Sequence, residues 1–276
     1  MRTVVTGGTG RVGWFVAQHC RALGWDVTTT GRDLPLAPDT DFAPLLAGVD
    51  LLVHCAFAHV PGRYRGGEGD DPAGFRRANL DGTAALFHAA RAAGVARVIF
   101  LSSRAVYGPH APGTRLTEDM PCHPDTLYGE VKLAAERALA RLSAPGFTGV
   151  SLRATGVYGP TPAGIAHKWA GLFRDFREGR PIAPRAGTEV HGQDLARAVA
   201  LVARQPSPAP VYNVSDLLLD RRDLLRLTGL QGALPEPADA AQVNQMDTGR
   251  LRALGWRPGG LPLLQETLSR LLQTGD

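Results

Sequence analysis

At 276 residues, with 44% hydrophobic and 20% charged residues, the chain can form one large domain, or one domain with a small appendage. A formal charge of +4, with no basic stripe interleaved with aromatics, argues against a nucleic-acid partner but leaves room for an anionic ligand. No run of about 18 apolar residues occurs, so no membrane-spanning helix is expected; Cys20, Cys55 and Cys122 are too few and too scattered for a disulfide framework.

The chain enters a structural pattern at residue 3, leaving no room for a signal peptide, and reduced thiols fit a cytoplasmic location. "TVVT" (3–6) reads as a strand. A helical stretch follows with Val12, Phe15, Val16, Cys20 and Leu23 on one face, closed by Gly24. Further strands are predicted at "DVTTT" (26–30), "VDLLVHC" (49–55), "VARVIFL" (95–101), "GVSLR" (149–153) and "PVYNV" (210–214), with helices near 72–94, 127–143 and 192–204. Largely apolar strands separated by helices predict an α/β fold with a doubly wound parallel sheet. The segment between Gly31 and Val49 holds "LPLAPD" and is too short for a full helix. A glycine- and charge-rich loop from His59 to Asp71 is placed over a ligand mouth. The pattern turns irregular after residue 160. Residues 1–160 and 189–220 are therefore assigned to the sheet domain, and 161–188 and 221–276 to a small substrate-binding lobe.

Each cysteine neighbours a histidine, as in His54-Cys55. Adjacent strand residues point to opposite faces, so these two could not grip one ion, and no metal is expected.

"VVTGGTGRVGWF" places Gly7, Gly10, Arg11, Val12 and Gly13 directly after the first strand and at the start of the first helix. Gly7 permits a tight turn, Gly10 lets backbone approach a pyrophosphate, and Gly13 lets helix pack on strand. Free amides at the helix start then hold phosphate. Dinucleotide binding follows. An acidic residue commonly ends the second strand and holds the ribose hydroxyls of NAD. Here Gly31 occupies that place and Arg32 follows, which predicts a preference for NADP, with NAD as the alternative should Asp33 substitute.

"FLSSRAVYG" (100–108) begins at the carboxyl end of a central strand, where open α/β sheets bind ligands. Its serines precede "TLYGEVK" (126–132), which puts Tyr128 and Lys132 on one helical face. A serine there can hydrogen-bond a substrate oxygen while Tyr128 gives or takes a proton, its acidity raised by the Lys132 ammonium. Val131, Ala135, Leu139 and Leu142 are predicted to fix this helix to the sheet.

These motifs, with "VDLLVHCA" (49–56), "NLDGT" (79–83), "LRATGVYGP" (152–160), "VHGQDLA" (190–196) and "DTGRLRALGWRP" (247–258), resemble the extended short-chain dehydrogenase/reductase superfamily, in its NAD-dependent epimerase/dehydratase family. The resemblance implies a Rossmann-type fold, a Ser103-Tyr128-Lys132 site with Ser103 chosen over Ser102, and a grip of Lys132 on the nicotinamide ribose. It further implies that Asn79 kinks or water-bridges a helix near the lysine, that Ala56 and Asp39 approach the cofactor, and that the flanking helices can form a homodimer contact. Departures from the pattern are Phe57 in place of a second alanine, Gly156 in place of an asparagine, and "TEVHGQD" in place of "RDFVHVDD".

The short stretch between "VYGP" and "VHGQD" favours a small or sugar-derived substrate over a nucleotide sugar. It is basic, with His167, Lys168, Arg174, Arg177, Arg180 and Arg185, so the substrate is expected to be anionic; Ser103, Arg104 and Arg185 are placed against it. The expected reaction is hydride transfer between NADP(H) and a secondary alcohol or ketone. The alternatives are a sugar or nucleotide-sugar epimerase with tightly bound NAD and, last, a non-catalytic NADP-sensing regulator. Dehydration is disfavoured because Arg104 and Ala105 stand where an acid/base pair would be needed.

Overall fold

The computed structural model describes residues 1–60 and 66–273. In chain order the strands are β1 (Arg2–Thr6), β2 (Asp26–Thr30), β3 (Leu51–His54), β4 (Arg97–Ser103), β5 (Arg115–Leu116), β6 (Thr148–Ala154), β7 (Gly156–Tyr158), β8 (Ala186–His191), β9 (Val211–Val214), β10 (Leu217–Asp220) and β11 (Gln245–Met246). The helices are α1 (Gly13–Ala22), α2 (Ala43–Leu46), α3 (Pro72–Arg76), α4 (Thr83–Ala92), α5 (Leu127–Leu142), α6 (Ala170–Arg177), α7 (Gly192–Ala203), α8 (Arg221–Thr228), α9 (Gly249–Ala253) and α10 (Gly260–Gln273).

Six strands form a parallel sheet in the order β2-β1-β3-β4-β6-β9. This is the doubly wound α/β arrangement expected from the alternation of strands and helices. The chain leaves β1 in one direction to β2, then returns across it to β3, so the ligand crevice opens between the carboxyl ends of β1 and β3. Two apolar layers cover the sheet. Phe15, Val16 and Cys20 of α1 and Leu195, Val199 and Val202 of α7 lie on one face. Leu86, Phe87 and Ala90 of α4 and Ala135, Leu139 and Leu142 of α5 lie on the other. Burial of this kind, at about 25 cal/mol per Å² of apolar surface, holds the helices down.

β2 is the edge strand, and its "DVTTT" alternates exposed and covered positions, unlike the fully buried β3. The short segment after it forms only the four-residue α2. The helix expected over 72–94 is broken into α3, a wider π turn at Arg77–Gly82, and α4.

The stretch after residue 160 is more regular than its sequence suggests. It holds α6, whose Phe173 and Phe176 join Trp169, Tyr158, Leu224, Leu225, Leu264 and Leu268 in a separate apolar cluster. Trp169, Phe173 and Phe176 are spaced four and three apart, a helical signature masked by the arginines between them. A three-stranded sheet, β10-β8-β7, borders this cluster. Between that cluster's α8 and α10 the chain packs elsewhere: Met246 joins Val106, Tyr107 and Leu116, and Leu251 and Trp256 join the α1–α7 layer.

Candidate active site

The glycine loop fits a dinucleotide. Gly7 has φ 68°, and a Cβ there would stand 2.7 Å from the Cα of Ala56; a Cβ on Gly13 would stand 2.3 Å from the Gly7 carbonyl oxygen. Both positions therefore need glycine so that β1, β3 and α1 can meet. A Cβ on Gly10 would meet only the Gly7 oxygen, at 3.2 Å, so backbone is left open on that side. No side chain caps α1 at Val12; the Trp14 and Phe15 amides already donate to the Gly10 and Val12 carbonyls, so the amides that precede them are the ones that could meet an anion. Arg11 reaches across and donates to the Ala166 carbonyl at 2.9 Å.

At the end of β2, a Cβ on Gly31 would lie 2.4 Å from Thr9 Oγ1 and 3.1 Å from Asp33 Oδ1, so an acidic side chain there would displace those two side chains. Asp33 is turned back to accept the Gly31 N–H at 2.8 Å, and Arg32 is exposed. Asp39 is exposed and paired with Arg77 at 3.1 Å.

Ser102 and Ser103 end β4 and, by strand alternation, face opposite ways. Ser102 is buried and donates to Glu136. Ser103 is half-buried at the crevice side and accepts the Ala105 N–H at 3.2 Å. Thr126 caps α5 by accepting the Gly129 N–H at 3.1 Å. Gly129 lets the first turn of α5 rest on the bend after Ser103: a Cβ there would stand 2.7 Å from the Ala105 oxygen. This close approach brings the tyrosine-bearing turn to the serine.

Lys132 is 3% exposed and donates from Nζ to the Leu101 carbonyl at 2.7 Å. Its ammonium lies 4.3 Å from the centre of the Phe57 ring, 4.7 Å from Phe100 and 5.9 Å from Tyr128. Phe57 also meets Tyr128 edge-on, with ring centres 5.0 Å apart. Phe57 thus wedges between tyrosine and lysine and dries the ammonium. Burial lowers the Lys132 pKa to about 7, against the opposing pulls of Cys55 and Glu136.

Three supports lie beneath this group, and two of them escaped sequence reasoning. Glu136, one turn after Lys132, pairs with Arg153 at 2.8 Å, both nearly closed off. Burial alone would disfavour the Arg153 charge, and Glu136 more than restores it. Arg153 lies over the Tyr107 ring at 4.8 Å, and Tyr107, fully buried, donates to Asn213 at 2.7 Å. His54 sits 2.6 Å from Thr6 Oγ1 and 3.0 Å from Thr83 Oγ1, joining β1 to α4; burial, then Lys132, hold its pKa near 3, so it bridges as a neutral ring. Its neighbour Cys55 has a thiol pushed up to about 12 by burial. The alternation that set His54 and Cys55 apart also turns His54 inward, and that was the signal available.

Asn79 is the third. Its Oδ1 accepts the Ala58 N–H at 2.7 Å, and its Nδ2 donates to the Ala58 carbonyl at 2.7 Å and to Phe75 at 3.0 Å. A side chain thereby acts as a strand partner for residue 58 and fixes the turn that carries Phe57. Asn79→Ala leaves all three backbone groups without this partner. We expect a loss of about 2 kcal/mol, read as a lower denaturation midpoint at unchanged slope.

On the substrate side, Arg104 donates to the Asn244 carbonyl at 3.1 Å and so ties the bend after Ser103 to the chain near β11. Arg185 is exposed just before β8. Tyr158 is buried and stacked on Trp169. Arg63, Tyr64 and Arg65, the basic and aromatic residues of the 59–71 loop, lie outside the described residues.

Residues 3–215 match the model of the NAD dependent epimerase/dehydratase family. The chain belongs to this family. It is 30% identical over 235 residues to a 4-hydroxy-2-methyl-3-oxo-4-farnesyl-3,4-dihydroquinoline-1-oxide ketoreductase of Stigmatella aurantiaca, covering 78% of this chain and 68% of that one. It is 32% identical over 178 residues to a UDP-glucose 4-epimerase of Corynebacterium glutamicum, covering 58% and 53% respectively. The NAD complex of Thermus thermophilus UDP-glucose 4-epimerase superposes with a TM-score of 0.79 at 26% identity, covering 99% of each chain. The epimerase/dehydratase family comprises dehydrogenases, reductases and epimerases among these relatives, and the protein is an enzyme of that class. This membership removes the non-catalytic regulator from the alternatives. Among the described residues, no helix is long and apolar enough to cross a membrane.

Proposed function

We propose that the enzyme moves hydride between NADP(H) and a secondary alcohol or ketone of a small or sugar-derived substrate, with Ser103, Tyr128 and Lys132 as its catalytic residues. The observation that carries this reading is the meeting of the α5 turn with the end of β4, which sets Tyr128 beside a dried lysine at the sheet's carboxyl edge. Gly7, Gly10, Arg11, Val12, Gly13 and Ala56 would hold the dinucleotide, which supplies or accepts hydride at its nicotinamide C4. In the reductive direction, Ser103 Oγ donates a hydrogen bond to the substrate carbonyl and polarises it. Tyr128 Oη then delivers its proton to that oxygen as the alcohol forms. Lys132, when protonated, stabilises the phenolate left behind. Oxidation runs the same proton in reverse.

The NADP preference rests on the end of β2, where position 31 is a glycine packed against Thr9 Oγ1 and Arg32 is unpaired among the described residues. Arg32→Ala is expected to weaken NADPH binding about tenfold and leave NADH nearly unchanged, as titration of each nucleotide would show. Equal affinity of the unaltered enzyme for both would sink the preference. Epimerisation stays the second reading because the curated relatives include UDP-glucose 4-epimerases. That reading requires cofactor to co-purify through gel filtration and no net redox turnover.

A further inference from the structure

We infer that Lys168 and Arg185, with Glu189 holding the lysine in the space that Gly156 leaves open, form an anchor for an anionic group on the substrate. This inference rests on the function proposed above and narrows its substrate class to compounds bearing a carboxylate or a phosphate.

The placement follows from register. Ser103 pairs with Ala154 in the central sheet, and two residues further on Gly156 starts β7 and pairs with Glu189 of β8. The wall next to the serine is therefore continued by Gly156 and Glu189. A Cβ on Gly156 would lie 2.1 Å from Lys168 Nζ and 2.6 Å from Glu189 Oε2. The lysine head thus fills the volume that any side chain at 156 would occupy. It donates to Glu189, and both side chains keep a little solvent contact, 27% for Lys168 and 15% for Glu189.

Charge selects the ligand. Glu189 neutralises one cation, but Arg185 and Arg11 also act on the Lys168 charge. Two cations, Lys168 and Arg185, thus act on one carboxylate, and Arg185 is exposed and makes no ion pair among the described residues. An ammonium has three donors, and Glu189 engages Lys168 from one side only, leaving others for an incoming oxygen. The planar guanidinium of Arg185, exposed just before β8, can supply a paired contact to a carboxylate or phosphate. The other four basic side chains of this stretch, Arg177 included, have partners of their own. Arg180 pairs with Asp175 and Glu178, Arg174 lies 3.9 Å from Asp175, and His167 Nδ1 accepts the Trp169 N–H at 3.2 Å. The structure therefore separates two of the six basic residues from a general surface charge.

The test is calorimetric titration of the NADPH-saturated enzyme, so that the cofactor's own phosphates are not the ligand. The probes are acetoacetate against its neutral methyl ester, and glucose 6-phosphate against glucose. At least one anion should bind about tenfold or more tightly than its neutral counterpart, and which one does separates carboxylate from phosphate. Lys168→Met and Arg185→Met should each remove that difference. Gly156→Ala changes no charge and meets only the movable ends of two side chains. It should displace the ammonium and weaken the same anion about tenfold, with NADPH affinity retained. Equal binding of acids and neutral partners, no binding of either anion, or an unchanged preference in Lys168→Met would overturn the anchor. Failure of the unaltered enzyme to bind NADPH would instead sink the hydride-transfer reading, and the same comparison without cofactor would still decide the anchor.

Discussion

Tyr128→Phe is expected to lower turnover by roughly 10²–10⁴-fold, the usual contribution of a positioned general acid. The substitution removes one oxygen and keeps the ring that meets Phe57 edge-on, so the fold and the lysine's surroundings persist. Cofactor affinity should therefore stay close to that of the unaltered enzyme, and the loss should appear in kcat rather than in the dissociation constant for NADPH. Persistence of turnover in this variant would remove Tyr128 as the proton carrier.

The second large effect has opposite signs in two measurements. Lys132→Met should abolish turnover and yet stabilise the protein. The folded chain holds the Lys132 pKa near 7, chiefly by burial, against 10.5 for an unburied lysine. Below pH 7 the amine is protonated whether folded or unfolded, and the fold carries the whole burden of a buried charge. Between pH 7 and 10.5 the unfolded chain binds the extra proton, so stability rises with pH across that window and levels off above it. At about 1.4 kcal/mol per pKa unit the shift implies an effect of a few kcal/mol, reduced by loss of the bond to Leu101. The methionine variant should hence exceed the unaltered enzyme by about 2–4 kcal/mol below pH 7, with the gap closing as pH rises. Urea unfolding at pH 6 and pH 10 would check this. A constant gap, or a less stable variant at pH 6, would refute it.

Much of the scaffold could be read from the chain because its signals are local. The spacing of Gly7, Gly10 and Gly13 after an apolar strand, and of Tyr128 and Lys132 within one helix, encodes geometry within a few residues. The apolar positions of α5, including Leu139 and Leu142, are likewise set by a period of 3.6. What stayed hidden depends on partners far away in sequence. The resemblance implies that Asn79 kinks a helix, and a π turn does stand there, but nothing near Asn79 announces that its amide will clasp Ala58, 21 residues earlier. Glu136 reads as an ordinary helix residue until β6 brings Arg153 beside it. In sequence Phe57 is a residue in place of a second alanine; only the fold shows it lying on the lysine. At position 156 the sequence shows only a glycine in place of an asparagine, whereas in the fold Lys168 enters that volume from a different segment.

The polar strand β2 ends the sheet, with no further strand beyond it, so Arg32 stands at the rim of the molecule in open water. Attraction there is shielded over about 8 Å at physiological ionic strength. Whatever margin the guanidinium gives to a 2′-phosphate should therefore narrow as salt is added, while the grip on the shared pyrophosphate, held by backbone amides, fades more slowly. Coenzyme choice in this enzyme would then depend on the ionic medium as well as on the residues that line the cleft.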